Sequence, residues 1–319
     1  MTKAAFVRAR RQHRLPALAV RSGVSFRWCL EQRAILRADA TATSSDLSFV
    51  EFNPRLPESC SELHCFAFCV HRHRMTKTTF RIGCAGWSLP RSAAASFPEI
   101  GSHLERYSAV FSAAEINSSF YRSHRLETYA RWASAVPTSF RFSVKLPKEI
   151  THTLRLKACA RPLRKFLSEI AGLGSRLGCV LIQLPPSFAF QRAVVRQFLT
   201  LLRRHFDGDA VLEPRHITWF DPHVEAIFRE FNVSQVASDP AVCAAAARPS
   251  VGSSVTYFRL HGSPRMYYSN YDERYLRVVA AALKRNDVKS QQAWCIFDNT
   301  AHGFATTNAL RLMMLLRGP

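Results

Sequence analysis

A group of chemically active side chains follows the apolar segment that ends at Leu212. Within seven residues the chain places a carboxylate, a guanidinium, an imidazole and an indole, at Glu213, Arg215, His216 and Trp219. Parallel α/β folds build their sites at the carboxyl ends of buried strands, so this arrangement is typical of a functional site. The alternative interpretation is a salt-bridged strand end that is covered by a packing tryptophan.

Polar or aromatic residues also follow most of the other apolar segments. If these segments are strands of one barrel, their carboxyl ends meet in one mouth. There a desolvated ammonium can hold an anion or act as a base, and a carboxylate can transfer protons. We therefore predict that the catalytic residues are Glu115, Lys145 and Glu213. The predicted substrate-binding residues on the same rim are Trp87, Asn117, Tyr121, His152, Gln183, Arg215, His216, Trp219, Arg259, His261, Tyr271, Asp298 and Asn299.

The segment 261–271 is rich in tyrosine and is too long and too polar for a tight turn. Segments of this kind at a barrel mouth often cover a bound substrate. Aromatic rings near Arg215, Arg259 and Arg265 form the mixture that stacks on bases or sugars and binds phosphates. The sequence thus predicts a substrate-covering loop, and the alternative is that some of these rings only pack under loops.

We predict no resident metal or other cofactor, with a divalent metal as the open alternative. Oxygen and nitrogen ligands for a cluster of the phosphodiesterase type are available from Glu115, Glu213, His216, Asp239, His261 and Asp298. No HxH or HExxH pair lies at the predicted strand ends, however, and Lys145 and Arg259 would repel a cation there. A cysteine nucleophile at Cys84 is a weaker interpretation, because no histidine is adjacent to it in the sequence.

The elements that would position these residues alternate along the chain. Continuous apolar runs typical of strands buried on both faces lie at 80–85, 113–117, 140–145, 178–184, 209–213, 233–238, 255–260 and 293–298. Helical patterns lie between them at 99–111, 126–135, 161–172, 193–206, 222–231, 272–283 and 306–316, with a short turn at 241–247. Eight strands alternating with helices predict an α/β fold, a (β/α)8 TIM barrel. A doubly wound open sheet is the alternative, but no GxGxxG follows any strand.

The composition indicates a cytoplasmic protein with an anionic partner. No apolar run is long enough to span a membrane, and the nine cysteines include no CxxC pair. The 44 Lys and Arg residues exceed the 23 Asp and Glu residues, which gives a formal net charge of +21. Such an excess favours an anionic small molecule or nucleic acid as partner, although a general bias towards arginine would produce it too. The oligomeric state is not indicated.

Residues 1–74 show no sustained period of 2 or 3.6, unlike the rest of the chain. We interpret them as a disordered or misassigned N-terminal extension, with Met75 as the physiological start and 75–319 as the barrel domain. The alternative is a basic arm that binds nucleic acid.

Eight groups of residues resemble the successive motifs of a known family. They are 83–87 (GCAGW), 115–121 (EINSSFY), 142–147 (FSVKLP) with 150–152 (ITH), 183–187 (QLPPS), 213–216 (EPRH) with Trp219, 239–241 (DPA), 259–262 (RLHG), and 297–300 (FDNT) with 308–309 (NA). Together they resemble the YecE-like family, domain of unknown function 72, over about residues 80–316. The resemblance implies a TIM barrel and a relation to barrel nucleases of the apurinic-endonuclease type, but it implies no particular reaction.

Two classes of function are consistent with these residues. In the first, the protein is a hydrolase- or lyase-type enzyme in which Glu115 and Glu213 transfer protons. Lys145, Arg215 and Arg259 would then bind an anionic substrate that carries a phosphate or a carboxylate. In the second, the barrel binds nucleic acid without turnover, or it is a metal-dependent phosphodiesterase.

Overall fold

Eight parallel strands close into one barrel in the computed structural model, which describes residues 78–249, 255–285 and 292–318. Each strand pairs with the next along the chain, and the last pairs with the first. The strands are β1 Thr79–Ala85, β2 Ala113–Ile116, β3 Arg141–Lys145, β4 Leu177–Gln183, β5 Asp209–Glu213, β6 Val233–Asp239, β7 Val255–Leu260 and β8 Gln292–Phe297. The predicted TIM barrel is confirmed, and the open sheet is excluded. The interpretation of residues 1–74 and of Met75 lies outside the described residues.

The helices surround the barrel. In the described ranges they are α1 His103–Ser108, α2 Leu126–Ser134, α3 Ala160–Ile170, α4 Arg192–His205, α5 Pro222–Glu230, α6 Glu273–Arg285 and α7 Phe304–Arg317. Shorter 3-10 segments lie at Arg91–Ser96, Ser118–Phe120, Ala171–Arg176, Ile217–Trp219 and Ala244–Ala247, and a π-helical turn at Glu149–Thr153. None of these described helices is long and apolar enough to cross a membrane.

Helix α1 is shorter than the 99–111 range predicted from the apolar pattern. It begins where Ser102 and Glu105 form a capping box, in which each side chain accepts a hydrogen bond from the backbone N–H of the other residue. These two bonds satisfy the backbone N–H groups of Ser102 and Glu105, which have no acceptor within the first turn of the helix. The cap therefore fixes the beginning of α1 at His103.

The barrel interior has an apolar lower layer and a charged upper layer. Alternate strand residues point inward, and a buried apolar cluster fills the interior with Ala113, Cys179, Leu181, Val211, Val236, Val255, Tyr257, Trp294 and Ile296. The next inward positions along three of these strands are Glu115, Glu213 and Arg259. The alternation thus carries these three strands from apolar packing to a charged side chain at the carboxyl end.

Tyr107 of α1 ties the first two strands together. Its hydroxyl donates to the backbone oxygen of Ala113, at 3.0 Å, and accepts from the backbone N–H of Cys84, at 2.7 Å. The two strands lie so close here that a Cβ atom on Gly83 would be 1.8 Å from the Ala113 backbone oxygen. A buried hydroxyl therefore joins β1 to β2 at a point where only glycine fits.

We expect Tyr107→Phe to lower the free energy of unfolding by about 1–3 kcal/mol, because it leaves two buried backbone groups without that partner. Urea denaturation measures the change. The matched control is Tyr129→Phe, which alters an equally buried ring whose hydroxyl has no hydrogen bond within the described residues. We expect the control to change stability by under about 0.5 kcal/mol. Equal losses in the two variants would contradict this account of Tyr107.

Candidate functional site

Arg259 is the centre of the charged layer and is completely buried. Its guanidinium makes a bidentate pair with Glu115, at 2.8 and 2.9 Å, and contacts Glu213 at 3.2 Å and Asp298 at 2.9 Å. The Nη1 atom also donates to the amide oxygen of Gln183, at 3.3 Å. The fork of guanidinium donors suits several carboxylates at once. One arginine on β7 thus connects side chains from β2, β4, β5 and the end of β8.

His261 lies between two of the same carboxylates. Its Nε2 atom is 2.8 Å from a Glu213 oxygen, and its Nδ1 atom is 3.1 Å from an Asp298 oxygen. An imidazole ring can donate to two carboxylates at once only in its protonated form. Arg215 adds a further contact to Glu213, at 2.8 Å. The ring therefore lies between the carboxylates of Glu213 and Asp298, within hydrogen-bonding distance of both.

Burial and neighbouring cations act in opposite directions on the two carboxylates. Burial raises the pKa of Glu213, but the charges of His261, Arg259 and Arg215 outweigh it and hold that pKa well below its usual range. For Asp298, burial is likewise outweighed by Arg259 and His261, which lower its pKa. Both groups are thus carboxylate anions at neutral pH.

Lys145 differs from the other cations of the site. It is 6% exposed, and its Nζ atom lies 4.1 Å from the centre of the Phe120 ring. In the described part of the chain, this atom makes no hydrogen bond or ion pair with a side chain. Burial and the charge of Arg259 lower its pKa to about 8, although Glu115, Asp298 and Glu213 oppose the shift. At neutral pH the amine is therefore mostly charged but close to deprotonation.

The rim next to Lys145 is positively charged. The His152 ring packs edge-on against Phe120 with 4.9 Å between ring centres, and its Nδ1 atom is 2.9 Å from the Thr151 hydroxyl. Burial, followed by the charges of Lys145, Lys148 and Arg155, lowers the pKa of His152. An anion that approaches Lys145 thus passes a rim with a favourable field.

The segment 261–271 contributes one side chain near the charged layer and one that supports it. Tyr267 has a backbone φ of +69°, and its ring centre is 6.0 Å from that of His261. A tyrosine rarely adopts this backbone region, and such strain is common at functional sites. Burial raises the Tyr267 pKa, and the charge of Asp298 raises it further. Tyr271 instead is buried. Its hydroxyl donates to Asp239 Oδ2, at 2.8 Å, and accepts from the Gly262 backbone N–H, at 2.7 Å.

The structure brings eight of the sixteen predicted site residues into the charged layer. They are Glu115, Lys145, Gln183, Glu213, Arg215, Arg259, His261 and Asp298. Trp87 and Asn117 line a neighbouring cleft, and His152 lies on the rim. Tyr271 and Asn299 support the segment 261–271, since Asn299 Nδ2 donates to the Ser269 backbone oxygen at 2.9 Å.

The other three predicted residues make local contacts. The Trp219 indole is buried against Phe188 and donates to its backbone oxygen, at 2.6 Å. His216 accepts from the Thr218 backbone N–H, at 3.3 Å, and so caps the short turn that follows β5. Tyr121 is 77% exposed. For Trp219 the geometry matches the alternative of a packing tryptophan over a salt-bridged strand end.

Tyr257 and Ser143 also belong to this site and were not predicted from the sequence. The Tyr257 hydroxyl donates to Glu115 at 3.2 Å and is 2.7 Å from the Ser143 hydroxyl. Both residues lie two positions before predicted site residues, Arg259 and Lys145, and therefore on the same inward face of their strands. That period of 2 is the signal that would have found them.

The alternative of a divalent metal has no ligand set in the described ranges, which contain no group of three or more His, Cys, Asp or Glu side chains arranged around a cation position. The carboxylates that would have served instead contact Arg259.

Cys84 is buried, and burial raises its pKa to about 12. Its thiol therefore stays protonated at neutral pH, as expected for a structural cysteine.

We expect Arg259→Met to cost about 3–5 kcal/mol of stability at pH 8, because three buried carboxylates lose their shared counter-ion. Burial already acts to raise the pKa values of Glu213 and Asp298, and without Arg259 fewer cations would oppose it, so the variant should lose less stability at pH 5 than at pH 8. Urea denaturation at both pH values measures this trend.

The matched control is Arg229→Met, which removes an exposed ion pair with Glu225. We expect a loss of under about 1 kcal/mol with little pH dependence. An Arg259→Met variant that is as stable as the control at pH 8 would show that the charged layer does not need its central cation.

Comparison with known proteins identifies the family. The family model described as "Protein of unknown function DUF72" matches residues 81–319. The UPF0759 protein YecE of Escherichia coli K12 is 32% identical over 108 residues, which cover 34% of this chain and 38% of that protein. The chain thus spans well under half the length of this relative. The UPF0759 protein YunF of Bacillus subtilis is 22% identical over 273 residues, which cover 74% of this chain and 94% of that protein.

Two solved structures have the same fold. A DUF72 family protein from Thermotoga maritima has a TM-score of 0.64 at 24% identity and covers 75% of this chain and 99% of its own. A DUF72 family protein from Enterococcus faecalis has a TM-score of 0.62 at 22% identity, with 76% and 100% covered. The family model covers three quarters of the chain and the motifs at the strand ends agree with it, so the chain belongs to the DUF72 family, whose function is unknown.

Proposed function

We propose that the protein is an enzyme of the hydrolase or lyase type that acts on an anionic substrate at the carboxyl-end mouth of the barrel. The observation that carries the proposal is Lys145, a buried ammonium without an ion pair in the described residues and with a pKa lowered to about 8. An unpaired buried cation is costly unless a ligand neutralises it. A substrate phosphate or carboxylate would supply the missing charge.

The order of burial within the charged layer supports an anionic substrate. Glu115 and Glu213 are completely buried and face Arg259, whereas Lys145 and Arg215 are 6% and 8% exposed. Asp298 is 4% exposed, so the two most exposed charged groups of the layer are cations by a small margin. A ligand that enters from the mouth would meet these donors before it reached Glu115 or Glu213.

Proton transfer in this enzyme would involve His261 or Lys145 more directly than Glu115. Both Glu115 oxygens accept from Arg259, so Glu115 would act as a positioning residue for the guanidinium. Glu213 and Asp298 would hold the His261 ring and stabilise positive charge on it. Lys145 would bind the anion or, as the free amine, accept a proton near neutral pH. A proton carrier beside a fixed cation serves in many hydrolase and lyase reactions.

A nucleic-acid-binding barrel is the second candidate. The Arg265 guanidinium lies 4.1 Å from the centre of the exposed Tyr268 ring, an arrangement that could stack on a base, and the chain carries a net charge of +21. Such a module would lose affinity steeply with salt and would tolerate Glu213→Gln. An enzyme would instead lose turnover in Glu213→Gln and keep much of its binding.

We expect small anions to stabilise the full-length wild-type protein in a thermal-shift screen at pH 7. A ligand at 100 times its dissociation constant adds about 2.7 kcal/mol, which this method detects readily. The probes are phosphate monoesters, sugar acids, nucleotides, a short oligonucleotide and Mg²⁺. Lys145→Met should abolish the stabilisation because it keeps the volume of the side chain but removes the charge.

Lys157→Met is the matched control, because it removes an exposed cation that is not one of the rim residues named above. We expect this variant to respond like the wild type. Stabilisation that survives in Lys145→Met, or that occurs only with the oligonucleotide or with Mg²⁺, would contradict the proposed small-anion site.

A further inference from the structure

A cleft lies beside the charged layer, at the carboxyl ends of β1 and β2. Its volume is about 370 Å³, and its lining includes Ala85, Glu115 and Asn117. Trp87 and Trp132 line it as well. Small-molecule sites range from about 300 to 1,000 Å³, so the cleft has room for a single ring and not for an extended ligand.

Asn117 has an unsatisfied polar atom in this cleft. It occupies the N-cap position of the turn Ser118–Phe120, where an asparagine commonly accepts from a backbone N–H, but its side chain makes no such bond. Its Oδ1 atom is buried and has no hydrogen-bond partner among the described residues. A buried acceptor in this state costs about 1–3 kcal/mol, which a ligand donor would offset. The Oδ1 atom has almost no exposed surface, so a hydroxyl or N–H group in the cleft would satisfy it once the Asn117 side chain turns towards the cleft.

The remaining lining combines aromatic and polar groups. Trp87 and Trp132 are half-buried and meet edge-to-face, with 5.2 Å between ring centres. His103 and Arg122 lie on the same lining, together with two serines, Ser88 and Ser118. Indole surfaces contact the C–H faces of a sugar ring, and the surrounding polar groups hydrogen-bond to its hydroxyls. This lining therefore suits a cyclic polyol.

One loop connects the cleft with Lys145. Asn117 lies three residues before Phe120, the ring under the Lys145 ammonium, and the Ser119 hydroxyl donates to the Lys145 backbone oxygen at 2.7 Å. Glu115 lines the cleft and pairs with Arg259 in the charged layer. A ring in the cleft would thus lie beside Glu115, the carboxylate that faces Arg259 in the charged layer.

We propose that the cleft is a subsite for the ring of a monosaccharide that carries an acidic group, with the Asn117 oxygen accepting a hydrogen bond from a ring hydroxyl. The inference rests on the proposed function, because the acidic group is assigned to Lys145. The acidic group is a phosphate or a carboxylate, and the two are separated by the choice of probes.

The test is isothermal titration of the full-length protein at pH 7 with glucose 6-phosphate, glucuronate, glycerol 3-phosphate and methyl glucoside. We expect at least one of the two anionic sugars to bind about tenfold or more tightly than glycerol 3-phosphate. Asn117→Ala should weaken that sugar about tenfold and glycerol 3-phosphate less than twofold. Because the substitution removes an unsatisfied group, it should not lower the urea midpoint of unfolding.

The outcomes separate the two proposals. If glycerol 3-phosphate and the anionic sugars bind equally well, and only Lys145→Met weakens them, the subsite is wrong and the anion site stands. If methyl glucoside binds as tightly as the anionic sugars in an Asn117-dependent way, the subsite stands and the anion site is wrong. If no probe binds, both are overturned.

Discussion

The burial of the Arg259 guanidinium is the constraint on which the rest of the site depends. An arginine cannot lose its charge, so a barrel that encloses one must supply carboxylates at hydrogen-bonding distance. Glu115, Glu213 and Asp298 do so from β2, β5 and the end of β8. The ion pairs therefore tie β7 to two strands that are not adjacent to it, β2 and β5, and to its neighbour β8, and the closed barrel holds each carboxylate at a fixed depth below the mouth.

This arrangement has a consequence for the neighbouring cations. Arg259 contacts all three carboxylates. His261 also contacts Glu213 and Asp298, and Arg215 also contacts Glu213. Lys145 thus has no ion pair with a carboxylate in the described residues, and its ammonium lies over the Phe120 ring. Burial together with Arg259 lowers its pKa to about 8. The same central charge that organises the carboxylates therefore acts with burial to lower the pKa of the lysine, the group to which we assign the proposed substrate anion.

Much of this could be predicted from the sequence, because strand periodicity determines which residues point inward. The apolar runs located all eight strands, and the polar residue at each carboxyl end identified Glu115, Lys145, Glu213 and Arg259. Which of these groups contact one another could not be predicted, since that depends on side-chain distances across the barrel. The packing of Trp219 was left open for the same reason, and Tyr257 was missed because it lies below the strand end, in the apolar layer.

The central claim is that Lys145 is an unpaired amine that receives the charge of a ligand. The most direct measurement is a pH titration of the Lys145 side-chain resonance by NMR, in protein labelled with ¹³C at the lysine ε position and assigned with Lys145→Arg. The account predicts a pKa near 8 in the free protein. It also predicts a rise of about one unit or more when a stabilising anion binds, which corresponds to about 1.4 kcal/mol. A pKa near that of an exposed lysine, unchanged by every anion that binds, would contradict it.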